Sequence, residues 1–294
     1  MKKITVVTHD GTFHTDDVFA CATLALYFKD ADIEVVRSRD ERDIASGDIV
    51  FDVGGVYDPS RGRFDHHQPG GAGARENGIP YASFGLVWKE YGHVIAGSVE
   101  NAQFIDEQLV QGIDGADTGT VDRVSDNGVY MFSIIDVITS YRPTWQETTN
   151  MFDAFLRAVE RAREIIIRLV SHAGSYSSAE ALLLSSYEHA ADKEIIDIGS
   201  EYPGWYEVMA RYPEPKFVIY KREDGKWSAK AVRVNPAEFP TRAQFPEAWA
   251  GLRDGALVEA SRVRDAVFCH TGRFIAVARS REGALALAKS ALEL

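Results

Sequence analysis

The sequence predicts an α/β protein, with a doubly wound, parallel-sheet domain followed by a smaller mixed α/β domain. Three observations carry this. Short β-branched runs alternate with segments of helical spacing up to about residue 113. A long helical stretch then separates that alternation from a second one. The 294 residues, 45% hydrophobic and 26% charged, suffice to bury two cores.

Ile4 to Val7 is the first strand, Gly11 marks a turn, and Asp16-Asp17 set negative charge at the first turn of a helix carried by Val18 to Phe28. Ile33 to Val36 reads as a strand, Glu41 to Ser46 as a short helix, and Asp48 to Val53 as a buried strand stopped by Gly54-Gly55. Segments 81–98 and 101–113 have helical spacing, and both helices are expected to cover a face of the sheet. From Thr148 to His189 the pattern is helical, with Phe152, Phe155, Val159, Ile166 and Leu169 roughly on one face and an interruption near Gly174-Ser175. Strands are expected at Glu194 to Ile198, Lys216 to Lys221, Trp227 to Val234 and Ala266 to Cys269, and helices near Gly204 to Arg211 and Arg281 to Leu292. The expected boundaries are a first domain over 1–145, a helical connector over 146–190 and a second domain over 191–294.

No run of eighteen apolar residues occurs, and the first strand-like run is too short and too soon interrupted by His9 and Asp10 for a signal-peptide core. A cytoplasmic location without a membrane partner is the expectation. Cys21 and Cys269 read as small buried hydrophobes, not ligands. The net charge of −12 is uneven: residues 1–150 carry 24 Asp+Glu against 12 Lys+Arg, whereas 151–294 carry 20 of each. An acidic first half beside histidines suits hard cations, although a solvated acidic surface is the commoner cause of such an excess.

Four of the eight histidines, His9, His14, His66 and His67, fall where a strand-like run has just ended or a turn intervenes. In an open parallel sheet, ligands bind outside the carboxyl ends of strands, so His9 after the first strand and Asp52 near the end of a later one can converge. His9 to Asp16 supplies two imidazoles and a carboxylate, and Asp65-His66-His67 supplies more. Imidazole with carboxylate favours manganese, iron, zinc or cobalt over calcium. In phosphoester hydrolysis two cations about 3.5–4 Å apart activate the attacking oxygen and offset the charge of the leaving one, and they share a bridging group. Asp52 is the candidate bridge. Asp114 and Asp117, at the end of a helix, are the candidates for closing the second site. His93, His172 and His189, in helical runs, read as structural, and Asp10, Asp17 and Asp58 as solvated or capping residues.

The runs HDGTFHTDD (9–17), DVGGVYDPSRGRFDHHQ (52–68), YASFGLVW (81–88), GIDGADTG (112–119), HTGRFI (270–275) and REGALALAKSAL (281–292) resemble the melanocyte-proliferating-gene family, a branch of the DHH phosphoesterase superfamily. The resemblance spans nearly the whole chain and is most specific in the first half. It implies a DHH-type first domain, metal dependence and 3′–5′ exonuclease activity on RNA. Carried over, it implies that His9, His14 and Asp52 hold one divalent metal ion and Asp16, Asp52, His66 and Asp117 a second, with His67 facing the phosphate. Manganese is the expected metal, with magnesium, cobalt, zinc and iron as alternatives. Asp117 is preferred to Asp114 because the Asp-Thr-Gly it begins is similar to a superfamily motif. The superfamily usually has aspartate where His14 stands. Relatives also carry a glycine pair after the Phe-Ile of the last strand, where Ala276-Val277-Ala278 stands here as an altered substrate loop, with Arg279 retained for a phosphate.

Substrate contacts are thus assigned to His67, His270 and Arg279, and the catalytic roles to Asp52 and His67. The basic run Lys216, Lys221, Arg222, Lys226, Lys230 and Arg233, interleaved with Phe217, Tyr220 and Trp227, is a weak nucleic-acid signal, since such alternation more often marks a half-buried strand. The expected partners are RNA or an oligonucleotide and a second copy of the chain. Two alternatives stand beside this: a hydrolase of small phosphate compounds such as pyrophosphate or a dinucleotide, and a metal-binding interaction protein without catalysis.

Overall fold

The N-terminal β-branched run takes the centre of a sheet because apolar cover meets both its faces. In the computed structural model, which describes residues 3–122 and 127–293, β1 (Lys3–Thr8) lies parallel between β2 (Asp32–Arg37) and β3 (Ile49–Phe51). β4 (Tyr57–Asp58) and β5 (Arg63–Phe64) complete the order β2-β1-β3-β5-β4, with β5 parallel to β3 and β4 antiparallel to β5. The sheet is therefore mixed and not wholly parallel, because the link from β4 to β5 is too short for a crossover and can only make a hairpin. Gly62 makes that return: its φ is 67°, and a Cβ there would lie 2.5 Å from the Asp48 carbonyl oxygen.

Between these strands run α1 (Thr15–Tyr27) and α2 (Glu41–Ser46). Val18, Phe19, Ala22 and Leu24 of α1 join Val6, Phe51 and Phe64 of the sheet and Phe84 and Leu86 of α3 (Ser83–Ala96) in one core. Each fully buried phenylalanine or leucine contributes about 1.5–3 kcal/mol. The segment 101–113, expected as one helix, is a composite of α4 (Val99–Ile105), a π-helical turn over Asp106–Val110, and α5 (Gln111–Asp117). A short α6 (Ile134–Thr139) follows.

α7 (Met151–His189) is continuous, so the interruption expected at Gly174-Ser175 does not occur. A single glycine inside a helix costs only about 1 kcal/mol, which neighbouring turns absorb. The division into two compact units, Met1–Gly174 and Ser175–Leu294, nevertheless falls at that point. Phe155, Ala158 and Ile166 of α7 lie in the first core, and Ala179 and Leu183 lie in a core of the second unit.

In the second unit β6 (Ile195–Ser200), β7 (Phe217–Lys221), β8 (Trp227–Ala231), β9 (Ala266–Cys269) and β10 (Ile275–Ala278) form a mixed sheet in the order β6-β7-β8-β10-β9. β6 and β7 are parallel and the other pairs antiparallel. The two-residue period sends Phe217 and Ile219 into one core and Val218 and Tyr220 into the other. α8 (Trp205–Ala210) supplies Trp205 and Met209 to the second of these, while α9 (Asp254–Ser261) and α10 (Arg281–Glu293) supply Leu257 and Leu287 to the first. Ala276-Val277-Ala278 is not a loop: it is the buried interior of β10, where small residues let the sheet pack against its cover. Among the described residues, no helix is long and apolar enough to cross a membrane.

Candidate metal centre

The carboxyl end of β1 and the start of α1 bring four polar side chains together. His9 is buried, and its Nδ1 lies 2.8 Å from the Asp10 carbonyl oxygen. A carbonyl only accepts, so Nδ1 carries the proton and Nε2 is the nitrogen turned to the site. His9 Nε2 stands 3.2 Å from Asp17 Oδ2 and 3.3 Å from Asp52 Oδ2. Burial opposes its charge, yet these two carboxylates outweigh burial and push His9 up to about 10. His14 is exposed at the N-cap of α1, its ring centroid 5.4 Å from that of His9, and its N–H donates to Asp17 Oδ1 at 2.8 Å. Asp16 is fully buried and accepts the Ser83 and Phe84 N–H groups at 3.2 and 2.7 Å, at the N-terminus of α3. Burial, then Asp52, Asp117 and Asp114, raise the Asp16 carboxyl well above its usual range.

Asp52 and the 65–67 triplet come from the next strand ends. Asp52 follows β3 in left-handed backbone, φ 55°, a conformation that costs a non-glycine residue about 1 kcal/mol or more and that aspartate tolerates better than most. Asp65 spends its oxygens locally: Oδ2 accepts Gly55 N–H at 2.5 Å, and Oδ1 accepts His66 N–H, His67 N–H and His67 Nδ1 at 2.7, 3.2 and 2.7 Å. Burial pushes its carboxyl up, but those donors outweigh burial and hold it below its ordinary value. His66 is fixed by Ser83 Oγ at 3.2 Å on Nδ1 and faces Asp117 Oδ2 at 3.2 Å on Nε2. His67 stacks on His66 with centroids 4.2 Å apart and remains 61% exposed, so its Nε2 edge is open to a ligand.

The two carboxylates of α5 have different surroundings. Asp117 faces His66, whereas the buried Asp114 accepts Gly85 N–H at 3.0 Å and pairs with Arg75 Nη1 at 2.9 Å. The approach is close: a Cβ on Gly85 would fall 1.9 Å from Asp114 Oδ2. Arg75 gives Nε and Nη2 to Asp106, leaving one guanidinium edge for a second carboxylate. Burial therefore prevails over Arg75 and pushes Asp114 from 3.8 up to about 7. A carboxyl raised on folding contributes stability that is complete below pH 3.8 and lost as pH rises through about 7. Protein held in chelator should thus melt at a higher temperature at pH 5 than at pH 8. Asp114→Asn should flatten part of that slope, and an unchanged slope in the variant would refute the assignment.

Three overlapping groups have ligand atoms within 4.8 Å of one another: His9, His14 and Asp52; Asp16, His66 and Asp117; and Asp52, Asp65, His66 and His67. Asp52 and His66 link them. The donor set fits a metal: it combines imidazole with carboxylate, His9, Asp16, Asp52 and Asp65 are buried, and His9 Nε2 and Asp17 Oδ2 are buried without a hydrogen bond. Such a cluster can hold a metal ion.

Asp17 was expected to be solvated or capping. It caps α1, but it is fully buried against His9, with Arg37 Nη2 3.9 Å away. Its place three residues after the N-cap His14 was the available signal. His270 and Arg279 belong to the second unit and to neither donor group. His270 follows β9 and does not lie inside a strand; its Nδ1 accepts Gly272 N–H at 2.9 Å, and Arg279 is exposed after β10. Phe217 and Tyr220 of the basic hairpin are buried and cannot stack on bases.

The family model and the sequence relatives point to one family. The model of the MYG1_exonuc family, described as an uncharacterised protein family (UPF0160), matches residues 5–292. The chain is 32% identical to "MYG1 exonuclease" of Homo sapiens over 97% of its own length and 85% of that protein's. It is 31% identical to a MYG1 protein of Chlamydia pneumoniae over 94% and 92%. A solved structure of an exopolyphosphatase-related protein from Bacteroides fragilis covers 99% of the chain and 92% of its own at 11% identity, with a TM-score of 0.24, too low to support any inference.

Proposed function

The chain belongs to the MYG1_exonuc family, and from that premise we propose that it is a metal-dependent phosphodiester hydrolase, a 3′–5′ exonuclease acting on RNA or short oligonucleotides. The observation that supports this most is the linking of the three donor groups through Asp52 and His66. In this reading His9, His14 and Asp52 hold one divalent cation and Asp16, Asp52, His66 and Asp117 a second, manganese being the expected ion. When bound, such cations supply charge that activates water and stabilises a departing oxygen. The protein's own groups do the rest. Asp65 accepts from His67 Nδ1–H and holds the ring, so that as an imidazolium its Nε2–H can donate to a non-bridging phosphate oxygen as charge builds there. The Asp10 carbonyl, accepting from Nδ1–H, keeps the His9 ring in the tautomer and orientation that turn Nε2 to the site. Residues 1–145 act as a DHH-type, doubly wound domain, and 191–294, with His270 and Arg279, as the substrate-binding one.

The test is to strip the protein of metal, reload it with Mn²⁺ and supply RNA oligomers labelled at either end. The expected result is Mn²⁺-dependent release of mononucleotides, with the 3′ label lost first. Faster turnover of pyrophosphate than of RNA would move the substrate to small phosphate compounds. No hydrolysis of RNA, pyrophosphate or bis-(nitrophenyl) phosphate with any of the five candidate metals would leave a metal-binding protein without catalysis.

A further inference from the structure

A cavity of about 410 Å³ opens beside the donor groups, its lining including His14, Asp16, Asp117, Asp136, Thr139 and Arg142. Its volume is at the scale of one small ligand, which a single nucleotide matches and a duplex does not. Arg142 is the one lysine or arginine among its lining residues. Its Nε donates to the Phe13 carbonyl at 2.7 Å and its guanidinium lies 5.7 Å from the Phe13 ring centroid, which fixes the plane of the fork. In the same acidic unit Arg37, Arg39, Arg42 and Arg75 each lie within ion-pair reach of a carboxylate. Arg142, like Arg63, has no carboxylate within ion-pair reach among the described residues, but Arg142 lines the cavity, and Asp136 beside it accepts the Ser133 N–H and hydroxyl. An oriented guanidinium left unpaired next to a cluster of metal-ligand type is suited to a phosphate, which it can meet with two parallel N–H donors.

We propose that this cavity receives the terminal nucleotide of the substrate chain and that Arg142 binds its phosphate. The inference rests on the hydrolase reading and sharpens it: a pocket with room for one nucleotide selects chain ends. The experiment is calorimetric titration of the Mn²⁺-loaded full chain with adenosine 5′-monophosphate and with adenosine. Wild-type protein should prefer the monophosphate. Arg142→Ala should weaken monophosphate binding about tenfold or more, leaving bound Mn²⁺ unchanged, and Arg142→Lys should restore it only in part, because an ammonium lacks the planar fork. Because Arg142 also anchors the Phe13 carbonyl, Thr139→Phe provides a second variant that fills the cavity and leaves that anchor in place, and it too should weaken monophosphate binding. Wild-type affinity in Arg142→Ala, or in Thr139→Phe if the arginine variant does not fold, overturns the inference while leaving the hydrolase reading intact. Monophosphate binding that depends on Arg142 in a protein that hydrolyses none of RNA, pyrophosphate and bis-(nitrophenyl) phosphate would uphold the site and remove the hydrolase reading.

Discussion

Asp52→Asn should lower kcat/KM on an RNA oligomer by about 10³-fold, the scale of several kcal/mol of lost charge stabilisation. Asp52, just after β3, belongs to two of the three donor groups, and in the proposed reading to both cation sites, so one neutralisation weakens both. Mn²⁺ affinity should fall with activity. The fold should survive, since asparagine tolerates the same left-handed backbone at φ 55°. Removing one negative charge from beside Asp16 and Asp17 also relieves repulsion in metal-free protein. The expected pattern is lost activity with an unchanged or higher melting temperature in chelator. Full activity in the variant would sink the assignment.

Arg75→Met should be the most damaging change to stability. The guanidinium is buried, bridges Asp106 and Asp114, and lies 4.3 Å from the Tyr81 ring centroid. Its removal strands two carboxylates, one wholly buried, and breaking such a pair costs about 3–5 kcal/mol. For a unit of this size that is a fall of roughly 10 °C in melting temperature at pH 8. The loss should be smaller at pH 5, where Asp114 can take up a proton, and Asp114→Asn in the same chain should recover part of it. Equal melting of the variant and the wild type would show that the network does not hold the helices.

Much of this was legible in the sequence because the signals were local. Ile4 to Val7, Ile33 to Val36 and Glu41 to Ser46 announce their structure by composition and spacing, and His9, Asp52 and His66 could be anticipated at strand ends. What could not be read depended on contacts distant in sequence. Nothing near Asp114 indicates Arg75, which lies 39 positions away, and nothing near His66 indicates Ser83. Asp17 looked like an ordinary first-turn acid, yet its burial is set by β2 through Arg37 and by His9. Gly174 suggested a break by intrinsic propensity, but the backbone remains helical through it. Ala276 to Ala278 looked like loop residues only by comparison with a glycine pattern, while their pairing with β8 and β9 makes them strand.

The π-helical turn at Asp106–Val110 has an evolutionary consequence. Such a turn holds one residue more than an α-helix over the same rise, and each residue advances the helix by about 100°. Loss of a single codon there would heal the helix without turning α5, leaving Asp114 on Arg75 and Asp117 on His66, whereas the same loss within α5 upstream of Asp114 would swing both carboxylates by about a quarter of a turn. The π-turn is therefore the one place in this composite helix where a residue can be lost without disturbing the carboxylates that follow.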